Sequence, residues 1–236
     1  MSPIELVNQG AVYIESGLYH NAIQVLTRSL TILRDHMFED RSSTSMLLHN
    51  SFLCNEKKVI EHLSVDRTVP EELLNTLLYD STIPRDLPYF LYKAPFHIRG
   101  LQDLLSSEGL SSIILFNMAV AFHMDAVKNS QPKTKYNRII QLYENAYRLQ
   151  LQDQEDPNAF PTDPDALFRS MAILNNLAHL HFNAANDREA KECCDSLWKI
   201  VLYAKFDDLA RSKCVECFFD NVTKFLVRHS QSAPAA

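Results

Sequence analysis

Three stretches of this chain repeat one side-chain register, and that repetition constrains the fold more than any single motif does. In the first, Leu6, Gln9, Gly10 and Tyr13 are followed by Ala22 and Leu26. In the second, Leu115, Met118, Ala119 and Phe122 are followed by Ile139 and Tyr143, with Ala146 beyond. In the third, Leu174, Leu177, Ala178 and His181 are followed by Ala190 and Cys194. Spacings of three and four place each set on one helical face, and a small residue among large ones lets two helices approach closely while the large ones fill the groove between them. The step from Tyr13 to Ala22, and from His181 to Ala190, is nine residues; from Phe122 to Ile139 it is seventeen, with the surplus in "KNSQPKTK". An Asn stands two places before the small residue each time: Asn8, Asn117 and Asn176.

The flanking text agrees with paired helices. Pro3 suits a first helical turn, Gly17 suits a C-terminal stop, and Ala22, Ile23, Leu26, Leu30 and Leu33 recur at helical spacing, so residues 1–37 are predicted to form a helix hairpin. Residues 38–109 break the pattern. There "EDRSSTS" is loop-like, "PEELLNTLLYD" suits a short helix, and the aromatic-rich "DLPYFLYKAPFHI" suits an extended edge segment, because Pro88 and Pro95 lack a backbone donor. Hairpins are expected again over 110–153 and 164–204. A last helix follows over 206–228, where Cys214, Phe218, Val222 and Phe225 make an apolar stripe, and 229–236 is a frayed tail. Four glycines in 236 residues leave little material for tight β-turns or phosphate-cradling loops. The expected class is all-α, a single helical domain over 1–228 made of antiparallel hairpins, with a partly extended insertion after the first.

The recurring register resembles that of tetratricopeptide repeat (TPR) proteins, which stack two-helix units into curved arrays. More narrowly, "LFNMAVAFHMDAV", "QLYENAYRLQLQ", "AILNNLAHLH", "FLYKAPFHI" and "FFDNVTKFL" look like a large set of TPR-like proteins from diatoms, to which no reaction is assigned. The likeness is densest over residues 110 to 205. The chain departs from tandem arrays in that residues 38–109 separate the first unit from the second.

The resemblance implies that the first helix of each unit lines a concave, partner-binding face. On it would lie Val7, Ala11 and Ile14, then Phe116, Val120 and His123, then Asn175, His179 and Phe182. TPR domains that clamp the terminal carboxylates of chaperones need Lys or Arg on these helices. Here Val7 stands at the first such place, and Ala172 and Asn176 at the third-unit pair, so no chaperone carboxylate clamp is expected. A mostly apolar face should take an amphipathic helix, an extended apolar peptide or part of the same chain. The segment from Tyr89 to Ile98 is too apolar to lie in solvent, since each large buried side chain is worth about 1.5–3 kcal/mol. It is the internal candidate for that face.

Other chemistries find little support. "LNNLAHLHFNAANDREAKECC" holds two His and two Cys, but His179 and His181 lie about 200° apart around a helix, and His181 and Cys194 stand where the repeat wants aromatics. Cys193, Cys194, Cys214 and Cys217 include one CxxC without flanking turns, and buried Cys commonly packs as a small hydrophobe. No metal or cofactor site is expected. GxSxG, HExxH, Walker A and GxGxxG are absent, His123 and Asp125 face apart, and Glu71-Glu72 and Asp207-Asp208 suit helix starts, so no catalytic residues are expected. A formal charge of −6 without like-charge blocks speaks against nucleic acid. The longest apolar stretch, around Ile113 to Phe122, is short for a membrane span and holds Asn117. "MSPIELVNQG" does not read as a signal peptide, and five unevenly spaced Cys fit a reducing compartment, so a cytoplasmic protein is expected and the Asn221-Val222-Thr223 sequon is read as chance. Together these readings predict a non-catalytic module that binds a protein or peptide. The alternative is an assembly subunit that stacks through its helices, with an enzyme as the remote third reading.

Overall fold

The structure is a computed structural model that describes residues 1–40, 89–99, 105–129, 136–153, 163–205 and 213–230. Seven helices run through the described residues: α1 (Pro3–Glu15), α2 (Tyr19–Asp40), α3 (Ser107–Lys128), α4 (Tyr136–Gln152), α5 (Pro164–Asn183), α6 (Asp187–Lys205) and α7 (Lys213–Ser230). They contain no strand, and the helices pack in adjacent pairs. The short helix expected at "PEELLNTLLYD", the loop "EDRSSTS", Pro88, Cys54 and residues 231–236 lie outside the described residues. Contacts group the rest into two compact units. One holds α1 to α4 with residues 93–99, the other α5 to α7 with residues 89–92.

In the first unit α1 begins with a capping box: Ser2 Oγ accepts from the Glu5 amide and Glu5 Oε2 accepts from the Ser2 amide, with Pro3 in the first turn. It ends through Gly17, whose φ of +72° lets the Leu18 amide donate back to the Tyr13 carbonyl at 2.8 Å. The chain thereby reverses into α2, which packs on α1. Gly10 marks the close approach, since a Cβ there would stand 2.7 Å from Leu26 Cγ. Ser29 Oγ donates to the Pro3 carbonyl across the same pair. Both α1 and α2 pack on α3, and α3 on α4, where Ser112 Oγ donates to the Ala146 carbonyl at 2.7 Å. α3 starts at Ser107, three residues ahead of the expected hairpin, because Ser106 caps it by accepting from the Gly109 amide. By length and composition α3 could cross a membrane, but 78% of its apolar window is buried within the protein, as in a helix that is core on all sides.

The second unit repeats the device. Asp163 caps α5 with Pro164 in its first turn, and α5 ends through Ala185, at φ +61°, as the Asn186 amide donates to the His181 carbonyl at 2.9 Å. α6 packs on α5, and α7 packs on both. α7 spans Lys213–Ser230, and of the 206–228 expected for it residues 206–212 lie outside the described residues.

Candidate binding site: asparagines on an extended segment

Residues 89–99 are neither helix nor strand. Their backbone is held by side chains instead. In the second unit Asn221 Oδ1 accepts from the Phe90 amide at 2.9 Å and its Nδ2 donates to the Phe90 carbonyl at 2.7 Å. Asn176 does the same to Tyr92, at 3.0 and 2.8 Å. In the first unit Asn117 holds Phe96 at 2.8 and 2.9 Å, and Asn8 holds Ile98 at 2.8 and 3.0 Å. Each side-chain amide offers one donor and one acceptor to the donor and acceptor of a single residue, as a neighbouring strand residue would.

The register follows from extended geometry. Alternate residues of an extended chain present their N–H and C=O to the same side, and the clamped residues are 90 and 92 in one unit and 96 and 98 in the other. Pro95, which has no N–H, falls at an odd position where the ladder requires nothing, so it breaks no hydrogen bond. It also restricts Ala94 before it to extended backbone. Asn117, Asn175, Asn176 and Asn221 are fully buried. Buried amides left unpaired cost about 1–3 kcal/mol each, so an extended chain in this register is what makes these positions tolerable.

Rings sort the side chains. Phe90 packs edge-on to Phe218 at 5.8 Å, Tyr92 on Phe168 at 5.4 Å and Phe218 at 6.0 Å, and Phe96 on Phe116 at 4.6 Å. Tyr89 stacks obliquely on His179 at 5.4 Å, and its hydroxyl donates to the Asn175 carbonyl at 3.3 Å. His97 Nε2 meets Glu15 Oε1 at 2.8 Å. Burial pushes the Tyr89 hydroxyl well up, reinforced by Cys194 and Cys193. Burial also raises the Cys194 thiol, with Asp195 adding to the effect and a hydrogen bond to Tyr89 opposing it. His179 is brought down to about 4 by burial, and His181 is lowered mainly by burial against the pull of Glu189 and Glu192. Near neutral pH these groups are therefore uncharged, and Cys194 is a thiol rather than a thiolate. Around Tyr89 the second unit holds the main chain with neutral groups.

Of the nine residues expected on the binding face, Phe116, Asn175 and His179 meet the extended segment. His123 packs edge-on to Tyr143, while Val7, Ala11, Ile14 and Val120 are buried core and Phe182 is 38% exposed. An open apolar face is thus not what these residues present. The residues that do the holding, Asn8, Asn117 and Asn176, sit one place after Val7, Phe116 and Asn175. Their recurrence was visible in the sequence without a role, and its signal was polarity inside otherwise apolar helices. Asn221 was hidden behind the sequon reading. Yet Phe219, Asn221 and Thr223 copy the spacing of Leu6, Asn8 and Gly10.

Among the described residues no three His, Cys, Asp or Glu side chains gather as metal ligands. Cys193 and Cys194 are buried thiols, and Cys217 is a half-buried one. His181 is buried where the repeat places an aromatic, with Nδ1 3.3 Å from Asn186 Nδ2. Comparison with known protein families, catalogued proteins and solved structures finds no match for this chain.

Proposed function

We propose that this chain is a TPR-like array of helix hairpins acting as a non-catalytic protein-interaction module. Its helices hold extended polypeptide by the main chain. The observation that carries this reading is the set of four bidentate asparagines, three of them at one repeated helix position. The repeat itself has structural support. Ala22 and Leu26, Ile139 and Tyr143, and Ala190 and Cys194 are all buried, as are Ala119 and Ala178. Gly10 lies against Leu26. The α1–α2 and α5–α6 junctions each carry a left-handed residue, Gly17 and Ala185, four places after Tyr13 and His181. Main-chain capture is a recurrent way to bind peptides whose side chains vary.

Affinity purification of the full chain from a native extract, with light scattering of the purified protein, tests this reading. An interaction module is expected at the 27.1 kDa of one chain, recovering a reproducible protein partner. An oligomer at every concentration, with no partner recovered, would replace it with an assembly subunit that stacks on copies of itself.

A further inference from the structure

We infer that residues 89–99 act as an exchangeable internal ligand, and that each unit accepts an extended polypeptide in its place, with large apolar side chains in the register of Phe90 and Tyr92 in one unit and of Phe96 and Ile98 in the other. This rests on the interaction-module reading and names the ligand class of the same site. The ladder hydrogen bonds are indifferent to the segment's side chains: any residue but Pro offers the N–H and C=O that Asn221, Asn176, Asn117 and Asn8 engage. Within each unit one extended chain can leave and another enter with the ladder hydrogen bonds re-formed. A core meant only to be filled would be built from apolar side chains, which avoid the desolvation of buried amides. Selectivity then falls to the rings. Phe168 and Phe218 receive the aromatic side chains at 90 and 92, and Phe116 receives the one at 96. Each half of the ladder is complete within its own unit, so a peptide matching either half has a place to bind.

An occupant carried on the same chain competes intramolecularly, at an effective concentration on the order of millimolar. Against a segment of roughly micromolar intrinsic affinity, a free peptide then binds the intact protein about 1,000-fold more weakly than it binds a protein whose own segment is disabled. The arrangement is an autoinhibited groove that a matching partner opens by replacement.

The test uses a fluorescein-labelled synthetic peptide of sequence YFLYKAPFHIR and the full chain. A variant carrying Phe90→Ser, Tyr92→Ser and Phe96→Ser keeps every ladder asparagine and weakens only the occupant. Fluorescence anisotropy is expected to show this variant binding the peptide at least about 100-fold more tightly than the wild type does. That binding should disappear when Asn176→Ala, Asn221→Ala and Asn117→Ala are added. A peptide N-methylated at Tyr92 and Phe96 should bind at least about 10-fold more weakly, since it keeps the rings and loses the N–H donors. If the triple-Ser variant is partly unfolded, the peptide should raise its melting temperature and a scrambled peptide should not. Equal binding by wild type and variant, a folded variant that leaves the peptide free, or a melted one that the peptide fails to rescue overturns the exchange. None of these results touches partner recovery from extract, so the broader reading stands or falls separately.

Discussion

The first unit holds its part of the extended segment with separate clamps, whereas the second unit uses a linked network. Asn8 and Asn117 each engage one residue, and no hydrogen bond joins them. In the second unit Asn221 Nδ2 also donates to Asn175 Oδ1 at 2.6 Å, and Asn175 Nδ2 donates to Asn176 Oδ1 at 3.1 Å and to the Phe90 carbonyl at 3.0 Å. Titratable groups close around the same place, with His179 on the Tyr89 ring and Cys194 at its hydroxyl. One side chain at one helix position therefore does two physical jobs. In the first unit it contributes an independent grip, and in the second it is a member of a buried polar cluster whose parts depend on one another.

The largest expected effect distinguishes these jobs. Asn176→Asp places a carboxylate against the Tyr92 carbonyl and removes both donors, an uncompensated buried charge that costs about 3–5 kcal/mol. The half-buried Asn8 keeps access to water, so Asn8→Ala should cost only about 1 kcal/mol. Urea unfolding of the purified variants measures both. A double-mutant cycle sharpens the contrast: Asn175→Ala with Asn221→Ala should show a coupling of about 0.5–3 kcal/mol, and Asn8→Ala with Asn117→Ala should add to within about 0.5 kcal/mol. Equal coupling in the two units would erase the distinction.

The second expected effect is a pH dependence from the second unit. Burial lowers His179 from the ordinary 6.5 to about 4. Between those values the unfolded chain binds a proton that the folded chain refuses, so stability is fully present above about 6.5 and is lost as pH falls toward 4. At pH 5 the loss from this residue is on the order of 2 kcal/mol, and the lowered His181 acts in the same direction. Asn183 Nδ2 lies 3.0 Å from His179 Nε2, a contact that a neutral ring accepts and a protonated ring cannot. The substitution His179→Gln should flatten the difference between urea midpoints at pH 7.5 and pH 5. An unchanged difference would remove His179 as its source.

How far the sequence carries these conclusions follows the kind of force involved. Helices and their partners were legible wherever apolar periodicity and small residues decide the outcome, as at Gly10 facing Leu26 or at the Pro164 start of α5. The all-α class was legible for the same reason. Element ends decided by a single cap were less so: Ser106 starts α3 earlier than its apolar run suggests. The clamp around residues 89–99 was half legible. Apolarity and Pro95 marked residues 89–98 as extended and buried, but what holds them is polar, and periodicity methods score a buried Asn as noise. A different rule exposes it, namely that an amide recurring on the apolar face of successive helices must be paid for by a long-range partner.

The smallest expected effect lies at the two hairpin turns, where the units differ by one methyl group. Gly17 and Ala185 occupy the same place in their junctions, at φ +72° and +61°, and both precede the residue whose amide donates back to the first helix. Left-handed backbone costs an L side chain about 1–2 kcal/mol, and glycine recovers part of that in lost flexibility. Gly17→Ala should therefore destabilise the protein by about 1 kcal/mol, since no atom lies within 4 Å to add a clash or a contact. Ala185→Gly should stabilise it by a similar or smaller amount. Thermal melting of the two variants reads opposite signs if the junctions are equivalent. The same sign in both would mean that the α5–α6 turn is held by its surroundings rather than by its own backbone, and the correspondence between the first and third hairpins would then stop at their helices.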